Sequence, residues 1–151
     1  MPVLIDELSQ LVSAFDANNT EYAVCGGLSM AIHGFPRATM DIDILIRPES
    51  LDKAYEIASE LGFDIRGLDI SFKERAVEIR RVSKIIDEDV LSLDLILVTS
   101  HVEDVWADRQ IVAFQGRVLS VISRDGLIKM KTLAGRPQDL ADIHRIQNEE
   151  D

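Results

Sequence analysis

Val24-Cys25-Gly26-Gly27 and, after a spacer of thirteen residues, Asp41-Ile42-Asp43-Ile44 are the most informative stretch of this chain. Successive side chains of a strand point to opposite faces, so Asp41 and Asp43 share one face and Ile42, Ile44 and Ile46 take the other. Two carboxylates side by side on an otherwise apolar strand repel each other, and folding alone gives little reason to place them there. A divalent cation removes the conflict, and Mg²⁺ is commonly held by one or two carboxylates together with substrate phosphates. The glycine pair suits the other half of such a site. A strand-to-helix turn without side chains lets backbone N–H groups and a helix N-terminus approach phosphate oxygens closely.

Outward from this centre, apolar residues at Leu4, Leu8, Leu11, Val12 and Phe15 predict an amphipathic helix over 3–15. A polar break at 16–20 leads to a short strand at 21–25 and, beyond the glycines, a helix at 28–33 ended by Gly34. Residues 40–46 form the acidic strand, which Pro48 stops. A helix at 49–61 buries Leu51, Ala54, Ile57, Ala58 and Leu61 and closes at Gly62. Residues 63–65 and 71–72 are weaker strand candidates. Residues 76–86 are β-branched and partly alternating, which favours a strand over a helix, and 91–98 form a buried strand after an acidic turn at 87–89. A helical turn at 102–106 precedes a hairpin of 110–114 and 117–122 around Gln115-Gly116. Ser123 is placed to cap a helix through 133 that Gly135 ends. Pro137 opens a last helix over 138–147, with Leu140, Ile143 and Ile146 as its apolar stripe. The charged tail Glu149-Glu150-Asp151 is expected to fray.

A chain of 151 residues, 46% of them hydrophobic, supplies one domain with a real core: a helix within 1–20, a sheet region over 21–122 and closing helices over 123–148. No apolar run is long enough to span a membrane and no signal-peptide pattern opens the sequence, so a cytoplasmic protein is expected. The net charge of −11 argues against a broad surface for nucleic acid, although it leaves an RNA end open as a ligand. Cys25 is the single cysteine, so neither an internal disulfide nor a cysteine metal cluster can form. Within an apolar strand it reads as a small core residue.

Other polar residues carry two readings each. Asp94 lies in Ser92-Leu93-Asp94-Leu95-Ile96, where a lone carboxylate is costly unless it meets a metal or one of the chain's arginines. Ser29 adds a hydroxyl to the phosphate site or is an ordinary first-turn residue. His33, His101 and His144 lack metal-ligand spacing; His33 alone borders the glycine helix. Lys129 reads as a solvated helix residue. Asp139 and Asp142, three apart on one helix face, either orient Arg136 or Lys131 or flank the exposed side.

These motifs resemble the nucleotidyltransferase superfamily of the DNA polymerase beta type, in its minimal, non-polymerase form. The family's hydrophobic residue, Gly, then Gly or Ser, followed by Asp-x-Asp, is matched by Val24-x-Gly26-Gly27 and Asp41-Ile42-Asp43, and its third carboxylate by Asp94. Arg37 stands where the family often has an arginine before the acidic pair. Lys131-x-x-Ala134-x-Arg136-x-x-Asp139-x-x-Asp142 is similar to the closing motif of toxin-type and abortive-infection members. The resemblance spans roughly 20–146 and implies an α/β (α+β) nucleotidyltransferase fold with a mixed central sheet flanked by helices.

It also implies chemistry. Asp41, Asp43 and Asp94 would be metal-binding and catalytic, holding two Mg²⁺ ions that Mn²⁺ could replace. Gly26, Gly27, Ser29, Arg37 and Lys131 would bind the phosphates of a nucleoside triphosphate such as ATP. The product would be NMP attached to a hydroxyl of a small molecule, a protein or an RNA 3′ end. Three readings follow: an active transferase, a catalytically inert nucleotide-binding or regulatory module, and a toxin–antitoxin component; a drug-modifying role fits the first. The motif leaves no obvious acceptor-binding lobe, so a large acceptor is expected to need an exposed groove, a homodimer or a cognate partner protein.

Overall fold

The computed structural model describes residues 2–36 and 38–148. Arg37 and the tail from Glu149 therefore lie outside the described residues. In chain order the elements are α1 (Pro2–Ala17), β1 (Ala23–Cys25), α2 (Gly26–Ile32), β2 (Asp41–Ile46), α3 (Leu51–Glu60), β3 (Ile65–Phe72), β4 (Val77–Ile86), β5 (Asp89–Leu97), α4 (Glu103–Ala107), β6 (Gln110–Phe114), β7 (Arg117–Val121), α5 (Arg124–Ala134) and α6 (Pro137–Asn148). Short 3₁₀ turns at Pro48–Ser50 and Ser100–Val102 lead into α3 and α4. The strands form one mixed sheet in the order β3-β4-β5-β2-β1-β7-β6. β2 runs parallel to β5 and β1 parallel to β7, and the other neighbours are antiparallel.

The period-2 pattern of β2 sorts its side chains as expected. Ile42, Ile44 and Ile46 are fully buried in the larger core, with Leu93 and Leu95 of β5. Leu4, Leu8, Leu11, Val12 and Phe15 of α1 and Ala54, Ile57 and Ala58 of α3 close that core from one side. A second core on the opposite face gathers Cys25, Met30, Leu45, Trp106, Leu127 and Ile146 from β1, α2, β2, α4, α5 and α6. The helices of this second layer cover the centre of the sheet. Over the β3–β4 wing they stop short, leaving Ile65, Ile70 and Ile85 exposed.

Local chemistry sets the boundaries. The Ser123 hydroxyl accepts from the Gly126 amide, capping α5, and Gly135 ends that helix in the left-handed region at φ 64°. Three expectations need correction. The two weak segments at 63–65 and 71–72 are one eight-residue edge strand, β3, with a register shift between Arg66 and Asp69. A bulge next to Gly67 absorbs the interruption that reads locally as a turn. The second helix starts at Gly26 rather than at residue 28, so the glycine pair is its first turn. In α6 Leu140 is 56% exposed, while Asp139, Asp142 and Ile146 are buried. The inward stripe of α6 is thus half polar, because it faces Lys131 and not only the apolar core.

Candidate active site

Register places the acidic residues. Cys25 is opposite Asp43, Asp43 opposite Asp94, and Asp94 opposite Arg81, giving one row across β1, β2, β5 and β4. Directly opposed residues of a sheet point to the same face. Asp41 stands two residues before Asp43 on that face. A cleft of about 810 Å³ opens over the row, lined by Gly26, Gly27, Asp41, Asp43, Asp94 and Arg81 on one side and by Lys131 and Arg136 on the other. Ile70, Phe72 and Ile79 of the uncovered wing and Leu127, Met130 and Leu133 of α5 form its apolar walls.

The glycine pair is required by close approach. A Cβ on Gly26 would lie 1.9 Å from Asp43 Oδ2 and 2.8 Å from Asp43 Cβ, and Gly26 has φ 64°. A Cβ on Gly27 would lie 2.7 Å from Thr39 Oγ1. The turn from β1 into α2 therefore rests directly on β2, and the Asp43 carboxylate lies against backbone. Ser29 is fully buried and its hydroxyl donates to the Gly26 carbonyl at 2.6 Å. It braces the turn and does not line the cleft. Likewise His33 Nε2 is 2.7 Å from the Ile122 carbonyl and ties the end of α2 to the residue after β7.

The carboxylates differ in their partners. Arg81 grips Asp94 bidentately, Nε to Oδ1 at 2.7 Å and Nη2 to Oδ2 at 3.0 Å, and its Nη2 lies 3.8 Å from Asp41 Oδ2. The arginine partner that a lone strand aspartate called for is present; sequence alone did not single out Arg81. Asp43 has no hydrogen-bond donor among the described residues. Burial first, then the neighbouring Asp94 and Asp41 charges, push its carboxyl up to about 7. Burial also raises Asp41, with Arg81 opposing it, and raises the thiol of Cys25, which is fully buried as its sequence context suggested. Hydrogen bonding to Asp94 raises the Arg81 guanidinium further above its already high value.

Among the described residues no three His, Cys, Asp or Glu side chains converge as metal ligands. Asp41 and Asp43 share one face of β2 as the alternation predicts, and Asp94 lies beside Asp43 on that face, but both oxygens of Asp94 are turned onto Arg81. The donor chemistry nevertheless suits a hard divalent ion. Asp43 is a carboxylate set against the Gly26 turn, raised by burial and then by two like charges, and oxygen ligands of this kind are those Mg²⁺ takes.

Across the cleft, Lys131 is buried and reaches Asp142 Oδ2 at 2.8 Å and Asp139 Oδ1 at 3.6 Å. Arg136 binds Asp139 through Nε at 2.6 Å and Nη2 at 3.2 Å, and Gln138 donates to Asp142 at 2.9 Å. Burial opposes the Asp139 carboxylate, yet the Arg136 contacts hold it below its ordinary value. Of the two openings left for Asp139 and Asp142, the geometry takes the orienting one. Lys129 lies outside the site, paired with Asp104 at 2.7 and 2.8 Å on the surface.

No protein-family model and no curated protein matches this chain. Solved structures do. A candidate nucleotidyltransferase from Thermotoga maritima superposes with a TM-score of 0.68 at 19% identity, over 99% of this chain and 95% of that one. ANT(2″)-Ia in complex with adenylyl-2″-tobramycin gives 0.64 at 13% identity, over 95% of this chain and 87% of that one. The same antibiotic-resistance factor in solution gives 0.67 at 12% identity, over 98% and 84%. The chain has the nucleotidyltransferase fold, a mixed sheet with helices on both faces, as the sequence resemblance implied. No helix among the described residues is long and apolar enough to cross a membrane.

Proposed function

We propose that this chain transfers a nucleoside monophosphate from a nucleoside triphosphate to a hydroxyl acceptor. The observation that supports it most is the placement of Asp41, Asp43 and Asp94 on adjacent strands, facing one cleft beside the Gly26-Gly27 turn, in a chain with this fold. Asp41 and Asp43 would hold Mg²⁺, or Mn²⁺ in its place, with Asp94 completing the site for a second ion. Such ions supply charge neutralisation at the phosphates and favour ionisation of the acceptor hydroxyl.

The chain's own groups do the rest. Backbone N–H groups of the Gly26-Gly27 turn, together with Arg37 and Lys131, would meet phosphate oxygens and orient the triphosphate. Asp94 would receive the acceptor proton as the acceptor oxygen bonds to the α-phosphorus. The bond from that phosphorus to the β-phosphate oxygen breaks, and pyrophosphate leaves. Lys131, clamped by Asp139 and Asp142, would present a charge of fixed position. The apolar walls of the cleft would screen part of the reacting phosphate from solvent.

The adenylylated tobramycin bound by ANT(2″)-Ia supports ATP as donor and a small-molecule hydroxyl as acceptor. A protein side chain or an RNA 3′ end would use the same chemistry. Through its resemblance to toxin-type members, the Lys131–Asp142 motif supports a cytoplasmic growth-inhibiting role within a toxin–antitoxin pair. A homodimer or a cognate partner would then complete the acceptor groove. One observation favours a second reading: Arg81 occupies both oxygens of Asp94, as it would in a nucleotide-binding module without turnover.

Incubation of the protein with Mg²⁺, each α-labelled nucleoside triphosphate and cell extract separates these readings. Label entering the small-molecule, RNA or protein fraction with the native protein and not with Asp43→Asn supports transfer and identifies the acceptor class. Label in no fraction leaves the inert module.

A further inference from the structure

We propose that Arg81 is the stand-in for the cation of the acidic site: its guanidinium occupies Asp94 until a divalent ion arrives, and the two compete for that carboxylate. This rests on the metal-binding part of the transferase reading.

The geometry is specific to Arg81. Its backbone is locked opposite Asp94 by a β4–β5 ladder that runs from Ile79 to Ile86, so only the side chain can move. That side chain is 40% exposed while Asp94 is 9% exposed, so the long arm is free on its cleft side and the carboxylate is not. Both oxygens of Asp94 accept from the fork, and an ion can take Asp94 only if at least one of these bonds is given up. The adjacent Arg80 points to the opposite face and pairs with Asp69 at 3.4 Å and Glu78 at 3.2 Å. It cannot substitute. The second reach of Arg81, 3.8 Å to Asp41, places one guanidinium between two of the three carboxylates of the site. A guanidinium stays charged at all working pH, so it offsets the mutual repulsion of Asp94 and Asp41 in the metal-free protein.

Competition makes divalent affinity lower than the carboxylates alone would give. If Arg81 leaves Asp94 free about one-tenth of the time, its removal tightens binding about tenfold. Mn²⁺ titrated calorimetrically into nucleotide-free protein tests this with native, Arg81→Gln, Arg81→Lys and Asp43→Asn forms. The expected result is tighter binding to Arg81→Gln by about tenfold, a smaller gain for Arg81→Lys and loss of binding for Asp43→Asn.

A second readout needs no variant and reports displacement rather than charge. The Arg81 Nε–H resonance, protected in the metal-free native protein by its bond to Asp94, should lose that protection as Mg²⁺ saturates the site. Equal or weaker Mn²⁺ binding by Arg81→Gln, or an Nε–H that stays protected at saturation, overturns the proposal. If native binding is abolished by Asp43→Asn yet unchanged by Arg81→Gln, the metal site stands and the stand-in role falls. If the native protein binds no Mn²⁺, both fall.

Discussion

Two charged clusters face each other across one cleft. On the helical side Asp139 and Asp142 meet Lys131 and Arg136, two anions with two cations, and the contacts between them close the balance. On the sheet side Asp41 and Asp94 share the guanidinium of Arg81 while Asp43 between them forms no ion pair among the described residues, three acids with one paired cation. The difference teaches what each is for. The balanced cluster is a fixed part of the fold. The unbalanced one keeps Asp43 partly protonated near neutrality, through burial first and then the Asp94 and Asp41 charges, which Arg136 and Arg81 offset only in part.

The largest stability effect should come from unbalancing the balanced side. Lys131→Met leaves Asp139 and Asp142 buried without their ammonium, and breaking such a pair costs about 3–5 kcal/mol. Denaturant unfolding should show that loss; a change below about 1 kcal/mol would mean that Arg136 and Gln138 suffice. Gly26→Ala should follow, at about 2–4 kcal/mol, since it combines a left-handed backbone with overlap onto Asp43. It should also lower divalent affinity, measured by calorimetry, because Asp43 must move. An unperturbed melt would contradict the close approach.

The third test uses pH. The Asp43 carboxyl is raised to about 7 in the fold against an ordinary value near 3.8, so between these values the folded state binds more protons than the unfolded one. Stability of the metal-free protein should therefore fall as pH rises from about 4 to 7. Asp43→Asn should lack this part of the decline, and melting curves of both across that window decide it. Parallel curves would show that Asp43 is not the titrating group. The smallest effect belongs to Lys129→Ala, which removes an exposed pair with Asp104. It should change stability by less than about 1 kcal/mol and leave nucleotide transfer intact.

The same contrast explains what could be read from sequence. Asp41, Asp43 and the glycine pair were legible because strand alternation and turn chemistry are local. So was the demand of Asp94 for a partner. Its choice of Arg81 was not, because Arg80 and Arg81 are equivalent in sequence and only the β4–β5 register separates them. The inward turn of Asp139 and Asp142 was one of two openings, since a helix stripe through Leu140 and one through Asp139 differ by a single residue. Lys131, eight residues before Asp139 on another helix, decides between them. The β3 bulge was illegible for a similar reason: an irregular edge strand is held by its partner, not by its own pattern.

The central claim is that the acidic row awaits a divalent ion together with a nucleotide. Thermal melts of the native protein and of Asp43→Asn, each alone, with Mg²⁺, and with Mg²⁺ plus a non-hydrolysable nucleoside triphosphate, test it most directly. The account predicts a stepwise rise in melting temperature for the native protein, largest with both ligands, and none for Asp43→Asn. An equal rise in both proteins, or none in the native one, would contradict it.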